Sequence, residues 1–243
     1  MQVKVLGCWA PYPKAGGACS GYLVQAGNTS LIMDLGHGVM GELQKHVDFR
    51  RLTAVVISHL HPDHYMDLYC LRHAVAGAKR SGSRQGNLDI WIPDEPRPER
   101  QQLESFSEAF NVHILRGEPL QIGELKLRFL RTDHALPCFA IALEHESKRL
   151  VYTADTAWLD SMVDFARDAD LLIAEASWQE GDSGNVGHLT AGQAGELGRR
   201  AGVKELVLTH FWPEYDQLVS KQQAEKAFGR EVSLAAGSKS WQI

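Results

Sequence analysis

Residues 55–67 indicate the fold and read Val-Val-Ile-Ser-His-Leu-His-Pro-Asp-His-Tyr-Met-Asp. The β-branched run at 55–57 is typical of a short buried strand. Four polar side chains follow where that strand should end, namely His59, His61, Asp63 and His64. Alternation along an extended segment places the first two on one side, and the turn that Pro62 begins brings the other two round to the same space.

This cluster has the chemistry of a metal site. Three imidazoles and one carboxylate within six residues suit a divalent ion, and ligands of this kind favour Zn²⁺. Mn²⁺, Fe²⁺ and Ni²⁺ accept the same ligand set, so the sequence leaves the metal open. Histidines scattered on a surface loop are the structural alternative, but they do not explain four metal-capable groups at one strand end.

The composition predicts one compact domain, residues 1–243. With 243 residues, 44% of them hydrophobic and 23% charged, the chain can bury a sizeable core. No apolar run approaches the roughly 18 residues that span a bilayer, and the N-terminus opens directly as a strand. We therefore expect a cytoplasmic protein with no membrane partner. The four cysteines form no Cys-x-x-Cys pair, so we expect reduced thiols.

The pattern of strands and helices predicts an α/β protein. Strands cluster at the start of each half of the chain and helices follow them, which favours two βα layers packed face to face. Helices are predicted at 41–47, 67–79, 99–110, 159–168, 190–201 and 215–228. The formal net charge of −5 offers no electrostatic attraction to nucleic acid, whose binding depends on lysine and arginine.

Three further strands end in residues that can bind metal. These residues are His134, Asp155 and His210. Because the carboxyl ends of sheet strands converge in space, we expect them to meet the first cluster, although each histidine alone would more often be structural. Asp34 ends another strand, and two interpretations are open for it: it orients a neighbouring ligand or it caps a helix.

The whole set, His59-x-His61-x-Asp63-His64 with His134, Asp155 and His210, resembles the metallo-β-lactamase superfamily over essentially the entire chain. The resemblance implies a four-layer αβ/βα sandwich and two divalent metal ions. It assigns His59, His61 and His134 to one ion. It assigns Asp63, His64 and His210 to the other, with Asp155 bridging them. Aspartate rather than cysteine at position 155 is similar to the hydrolase branches and differs from true β-lactamases.

Two motifs resemble the phosphodiesterase branch that includes ribonuclease Z. They are Ala174-Glu175-Ala176-Ser177 and Gly187-His188-Leu189-Thr190. The resemblance implies that His188 faces the substrate phosphate, with Glu175 orienting it, and that Asp63 orients a metal-bridging hydroxide. Taken alone, His188 would more often be a histidine beside a capped helix.

The chain also departs from ribonuclease Z. Only twenty residues separate His134 from Asp155, which leaves no room for the long arm that grips tRNA. We therefore predict a phosphodiesterase for small or cyclic phosphodiesters and do not expect long RNA as a partner. The alternatives are a thioesterase or lactonase of the same fold, a tRNA 3-prime processing endonuclease, and a non-catalytic metal-binding module. The sequence leaves a homodimer open.

Four aromatic residues near the motifs have no assigned role. Trp158, Trp178 and Trp212 each follow a motif residue, so they suit either base stacking or packing under the active-site loops, of which packing is the preferred interpretation. His37 is equally ambiguous.

Overall fold

The computed structural model describes residues 1–182 and 187–243. Its first sheet contains β1 (Gln2–Gly7), β2 (Gly21–Ala26), β3 (Thr29–Leu35), β4 (Ala54–Val56), β5 (Leu88–Pro93), β6 (Phe110–Leu115) and β14 (Ser240–Gln242). Its second sheet contains β7 (Leu120–Ile122), β8 (Leu125–Arg131), β9 (Phe139–His145), β10 (Lys148–Tyr152), β11 (Leu171–Glu175), β12 (Glu205–Thr209) and β13 (Ser233–Leu234). The helices are α1 (Val39–Leu43), α2 (Pro62–Tyr65), α3 (Leu68–Arg80), α4 (Arg97–Glu104), α5 (Asp160–Phe165), α6 (Ala191–Ala201) and α7 (Gln217–Phe228).

The two sheets form the inner layers of an αβ/βα sandwich, as the sequence predicted. The first has the order β14-β1-β2-β3-β4-β5-β6 and the second β13-β12-β11-β10-β9-β8-β7. One hydrophobic cluster joins the facing sheets and extends under α6 and α7, and within it the rings of Tyr22 and Tyr152 lie 4.8 Å apart. A second cluster packs α1, α3 and α4 against the outer face of the first sheet. Burial of these apolar faces supplies the main driving force for folding.

Strand direction brings the carboxyl ends of several strands to one edge. β3 and β4 are parallel, and so are β10, β11 and β12. β8 runs parallel to β10, because both are antiparallel to β9. The sequence segments that carry the predicted site residues follow the ends of these strands. The hairpin between β9 and β10 turns at residues 146–147, so the predicted short strand pair is confirmed at this place.

Some predicted boundaries were wrong. The helix expected at 99–110 is α4, which ends at Glu104, and Phe110 already pairs with Leu88 as the first residue of β6. Phe106 and Phe110 have helical spacing, but both are buried because the chain turns between them to enter the sheet. Similarly, the helix expected at 41–47 is the shorter α1, which starts after Gly38.

Among the residues that the structure describes, no helix has the length and apolar character needed to cross a membrane.

Candidate metal centre and active site

A single turn of chain supplies four of the predicted ligands. β4 ends at Val56, and His59 and His61 follow within five residues, with His61 in extended backbone. Pro62 occupies the first position of α2, where its missing N–H costs nothing and its fixed φ begins the helix. The helix turns the next two side chains, Asp63 and His64, towards the same space. The local arrangement is therefore the one that the sequence predicted.

The first group of ligand atoms comes from three histidines and one oxygen of Asp155. Nδ1 of His61 lies 3.0 Å from Nε2 of His59 and 3.0 Å from Nε2 of His134. Oδ2 of Asp155 lies 3.5 Å from Nε2 of His59 and 3.9 Å from Nε2 of His134. Three ring nitrogens and a carboxylate oxygen thus converge on one point.

The second group uses the other oxygen of Asp155. Nε2 of His64 and Nε2 of His210 are 3.1 Å apart. Oδ1 of Asp155 lies 3.4 Å and 3.2 Å from these two atoms, and Oδ2 of Asp63 lies 3.6 Å and 3.4 Å from them. Because each oxygen of Asp155 faces a different group, its carboxylate stands between the two.

Hydrogen bonds outside the groups determine which ring nitrogens carry protons. His134 Nδ1 lies 3.0 Å from the Gly187 carbonyl, and His64 Nδ1 lies 2.7 Å from Oδ2 of Asp34, so both nitrogens donate. The Ser177 hydroxyl donates to Glu175 and therefore accepts from His210 Nδ1 at 2.7 Å.

Ser58 repeats this arrangement by donating to Asp34 and accepting from His59 Nδ1. The outward nitrogens of these four histidines are donors, so their inward nitrogens present lone pairs to the groups.

These contacts fit divalent cations. The inward nitrogens of His64 and His210 both present lone pairs and lie 3.1 Å apart, and lone pairs at this distance repel unless a positive charge lies among them. Oδ1 of Asp155 is buried and has no hydrogen-bond partner, although a buried carboxylate oxygen is normally satisfied. The candidate ligand atoms of the first group all lie within 4.8 Å of one another, and so do those of Asp63, His64 and His210 in the second. Imidazole nitrogen and carboxylate oxygen are the ligands that divalent transition metals and zinc accept.

The two groups differ in their electrostatics. Burial lowers the pKa of His59 well below its usual range, and the neighbouring His64 lowers it further. Burial also opposes a charge on His210, yet the carboxylates of Asp155 and Asp63 outweigh it and raise the pKa of His210 to about 10. The second group therefore has a strongly negative potential, which a proton or a metal ion satisfies.

A buried carboxylate, that of Glu175, links side chains of the site that lie outside the His59–His64 segment. Oε1 of Glu175 accepts from Nδ1 of His188 at 3.0 Å and from the backbone N–H of Thr156 at 2.8 Å. Its Oε2 accepts from the Ser177 hydroxyl at 2.7 Å. The Ser177 hydroxyl also accepts a hydrogen bond from His210 Nδ1. Glu175 is therefore linked directly to His188 and, through Ser177, to His210. The sequence motif contained Ser177, but nothing in its spacing indicated this linking position.

His188 itself lies over the second group. Its ring stacks on that of His210 with centroids 5.3 Å apart, and its side chain is 22% exposed. Burial lowers its pKa, but Glu175 and Asp155 raise it overall. His188 also lies near enough to Asp155 and His210 to form a third candidate ligand group. However, its Nδ1 is occupied by Glu175.

The backbone is strained at three strand ends of the site. Asp34, Ala154 and His210 have φ of 57°, 50° and 61°, in the left-handed region that side chains other than glycine rarely adopt. Each residue stands where a strand stops and the chain must turn sharply. The turns direct Asp34 and His210, and Asp155 after Ala154, into the site.

The structure decides between the two interpretations of Asp34. Its carboxylate is buried and accepts from the backbone N–H of Ser58 at 2.7 Å and from the Tyr152 hydroxyl at 3.0 Å, besides His64. α1 begins only after Gly38, so Asp34 caps no helix there. His37 is half-buried and belongs to none of the candidate ligand groups formed by the described residues.

A cavity of about 350 Å³ opens beside the two groups. Its polar lining comes from His61, Asp63, Asp155, Ser177, His188 and His210. Its apolar lining comes from Ala10, Pro11, Pro62, Trp178 and Trp212. A larger groove of about 590 Å³ lies between residues 14–18 and α1, but none of the predicted ligands lines it.

Two sheets with paired His/Asp groups at their strand ends define the class: a metallo-hydrolase of the metallo-β-lactamase fold. The chain belongs to the β-lactamase superfamily, because the family model described as "Beta-lactamase superfamily domain" matches residues 29–211. It is 34% identical to the probable metallo-hydrolase YhfI of Bacillus subtilis (strain 168), over all of both chains. The crystal structure of YhfI matches with a TM-score of 0.95 at 33% identity, over 99% of this chain and 98% of that one.

Ribonuclease Z proteins are more distant relatives. The chain is 26% identical to the ribonuclease Z of Ignicoccus hospitalis, with 94% of each chain covered. The crystal structure of the short form of human tRNase Z shares the fold, with a TM-score of 0.78 at 22% identity over 100% of this chain and 99% of that one. The predicted resemblance to a short ribonuclease Z relative is thus confirmed.

Proposed function

We propose that this metallo-hydrolase is a phosphodiesterase that acts on a small or cyclic phosphodiester. The observation that carries the proposal is the position of His188. It is held by a buried carboxylate, it faces the same cavity as both candidate ligand groups, and it is not needed by either of them. A thioesterase or lactonase needs the ligand groups but not this additional Glu175–His188 pair.

The residues that would hold metal follow from the geometry. His59, His61, His134 and Oδ2 of Asp155 would hold one ion, and Asp63, His64, His210 and Oδ1 of Asp155 the other. We propose Zn²⁺ first, with Mn²⁺, Fe²⁺ or Ni²⁺ as alternatives, because the donors are nitrogen and oxygen. Bound divalent ions would supply Lewis-acid charge for a phosphoryl group and make water a competent nucleophile at neutral pH.

His188 would act on the leaving group. Nδ1 donates to Glu175, so Nε2 carries a proton only when the ring is an imidazolium, a state that Glu175 and Asp155 favour by raising the pKa of His188. As an imidazolium, His188 can offer the Nε2 proton to the cavity, and among the described residues no hydrogen bond occupies Nε2. From this position Nε2 would donate to the departing alkoxide oxygen or to a phosphoryl oxygen that gains charge. Glu175 keeps the ring in the required orientation, and Asp63, which lines the cavity, orients the attacking water.

The shape of the molecule favours a small substrate. A cavity of about 350 Å³ is at the lower end of the range of ~300–1,000 Å³ for small-molecule sites. The β9–β10 hairpin carries no arm, and the net charge of −5 is opposite to what a long RNA attracts. The names of the ribonuclease Z relatives support phosphodiester chemistry.

The decisive experiment is the substitution His188→Ala in the metal-loaded protein. We expect turnover of a phosphodiester to fall roughly 10²–10³-fold, as for the loss of one donor to the transition state. Metal content, measured by elemental analysis, should stay at the wild-type level because the four His/Asp ligand nitrogens and oxygens of each group remain. The matched control is His73→Ala, which removes an exposed histidine of α3 and should change neither quantity.

A substrate panel separates the proposal from its rivals. Linear and cyclic phosphodiesters are assayed beside a thioester and a lactone. Turnover of the thioester or lactone alone would identify the other hydrolase class. Full phosphodiester turnover by the His188→Ala protein would remove His188 from the mechanism, and failure of the loaded wild type on every substrate would favour a non-catalytic module.

A further inference from the structure

Two tryptophans form an aromatic part of the cavity lining. Trp178 and Trp212 are half-buried and both line it. Their rings are nearly parallel, with centroids 5.7 Å apart and an interplanar angle of 21°. We call these two residues the indole wall. Packing under the loops, the preferred interpretation from the sequence, therefore does not fully describe them, because both rings contribute surface to the cavity.

The indole wall is fixed in relation to the polar lining of the cavity. The backbone N–H of Trp178 donates to the Leu189 carbonyl at 3.2 Å, and its carbonyl accepts from the Ala191 N–H at 2.8 Å. These bonds bracket Trp178 against the segment that carries His188. Trp212 follows the candidate ligand His210 by two residues. Short covalent and hydrogen-bonded connections thus hold the wall beside His188 and His210.

Neighbouring aromatic rings pack against the wall. Tyr12 and Trp212 are in edge-to-face contact with centroids 6.2 Å apart, and so are Tyr215 and Trp178 at 6.4 Å. Edge-to-face contacts of this kind restrict the rotation of an indole ring. A rotationally restricted aromatic surface loses little conformational entropy when a planar group stacks on it, and such stacking is the interaction that indoles form best.

The lining of the cavity therefore combines two chemistries. Its polar residues suit a phosphodiester, and its apolar residues include both tryptophans of the indole wall, with Pro11 and Pro62. An aliphatic ester group would leave much of this aromatic surface uncovered. We propose that the indole wall is a specificity subsite that stacks a planar aromatic group of the substrate, of the size and chemistry of a nucleobase. This inference rests on the proposed phosphodiesterase function only for the group that meets the polar lining.

A binding experiment tests the wall without any turnover. Calorimetry on the metal-loaded protein compares adenosine monophosphate with ribose phosphate, which lacks the base. We expect the base to strengthen binding roughly 5- to 150-fold, the equivalent of the ~1–3 kcal/mol that stacking one base on an aromatic side chain contributes. Trp212→Leu should remove most of this difference in affinity between the two phosphates. Trp212→Phe, which keeps a ring, should retain part of it.

The matched control is Trp241→Leu. Trp241 is also half-buried, but it lies on the edge strand β14 and does not line the cavity. The ratio should be unchanged in this variant. Melting temperatures of all variants show whether each is folded. Equal binding of the two phosphates by the wild type, or an unchanged ratio in folded Trp212→Leu, would overturn the inference.

A kinetic experiment distinguishes the inference from the function on which it draws. Hydrolysis of cyclic adenosine monophosphate is compared with hydrolysis of the same cyclic phosphate built on methyl riboside. We expect Trp212→Leu to raise KM for the first substrate more than for the second. If neither substrate is hydrolysed but adenosine monophosphate still binds more tightly than ribose phosphate, the proposed function fails and the inference about the indole wall is retained. If both are hydrolysed equally well and Trp212→Leu changes neither, the wall fails and the function stands.

Discussion

At the scale of single residues, the site depends on which nitrogen each histidine turns inward. Four histidines donate from Nδ1 to Asp34, Ser58, Ser177 or a carbonyl, and so present Nε2 to the centre. His61 differs, because Nδ1 is its inward atom. The hydrogen-bond partners of the outward nitrogens therefore determine which nitrogen of each ligand carries the proton.

Among these outer partners, we expect the loss of Asp34 to have the largest effect on metal binding. Its carboxylate accepts from His64, from Ser58 and from Tyr152, and an amide in its place would turn an N–H₂ group towards these donors. We predict that Asp34→Asn weakens metal binding about 10- to 100-fold, as for other outer partners of metal-bound histidines. Competition with a chromogenic chelator measures the affinity.

Asp89→Asn is the control for this variant. Asp89 pairs with His113 on β5 and β6, where its side chain is 42% exposed, and it touches neither ligand group. Its substitution should leave metal affinity unchanged. Wild-type affinity in Asp34→Asn would mean that the hydrogen bond to His64 does not orient a ligand.

At the scale of elements, the site is assembled by turns at strand ends and by close approach of their backbones. Gly36 follows β3, and a Cβ at this position would lie 1.9 Å from the carbonyl oxygen of Asp63 and 2.8 Å from Cβ of Cys19. Only glycine lets the end of β3 pass so close to α2. The position of the ligand pair on α2 thus depends on a residue that binds nothing.

We therefore expect Gly36→Ala to disturb the metal centre although Gly36 is not a ligand. The new methyl group must displace the Asp63 backbone, so we predict a loss of stability of about 1–3 kcal/mol together with reduced metal content. Urea denaturation and elemental analysis measure the two effects. Gly41→Ala in α1 is the matched control, because its Cβ meets nothing within 4 Å and alanine should stabilise the helix by about 0.5–1 kcal/mol. Full metal content in Gly36→Ala would contradict this account.

Asp170, which precedes β11, links β10 and β11 at the strand ends that lie away from the site. Its side chain is 8% exposed and accepts from Nζ of Lys204 at 2.7 Å and from the backbone N–H of Arg149, on β10, at 2.9 Å. Burial alone would raise its pKa, but the hydrogen bonds from Lys204 and Arg149 and the charge of Lys148 lower it below the usual value. Its contribution to stability is thus present above the unfolded pKa of ~3.9 and is lost as the pH falls through the folded value.

We predict that Asp170→Asn is less stable than the wild type by about 1.5 kcal/mol at neutral pH, which is the lower end for hydrogen bonds to charged groups. The difference should shrink as the pH falls below ~4, where the wild-type carboxylate takes up a proton. Urea denaturation across this pH range measures it. Asp164→Asn, whose side chain is 73% exposed beside Arg167, should show no comparable difference. A pH-independent deficit in Asp170→Asn would assign its effect to packing rather than to charge.

At the scale of the whole molecule, each ligand group joins the two halves of the chain. His59 and His61 come from the first half and meet His134 from the second, and His64 meets His210. Bound metal would therefore stabilise the packing of one half against the other. We propose that residues 1–243 form a single domain whose folding is coupled to metal binding.

Removal of metal tests this proposal. We predict one thermal transition, seen together by near- and far-ultraviolet circular dichroism, both before and after treatment with a chelator. Chelation should lower the melting temperature, because ligands that bind only the folded state contribute about 2.7 kcal/mol at 100 times their Kd. Restoring the metal should restore the transition. Two separate transitions would contradict the single domain, and an unchanged melting temperature would contradict metal binding to the folded chain.

Local patterns allowed much of this molecule to be predicted from its sequence. The run at 55–57 followed by His59 to His64 indicated a strand end with ligands, because side-chain alternation and the effect of Pro62 act over a few residues. His134 and Asp155 could be placed at strand ends for the same reason. The end of α4 could not, because only burial of Phe110 in the sheet decides where the helical spacing stops.

Only the tertiary structure determined which side chains of the site form hydrogen bonds with one another. Tyr152 donates to Asp34 across 118 residues of sequence, and Ser177 accepts from His210 across 33, and neither pairing has a local signal. The role of Asp34, the inward nitrogen of His61 and the indole wall were settled in the same way. The sequence by itself determined which ligand types stand at which strand ends, because those depend on neighbouring residues. Which atoms face one another depends on the packing of two sheets built from opposite halves of the chain.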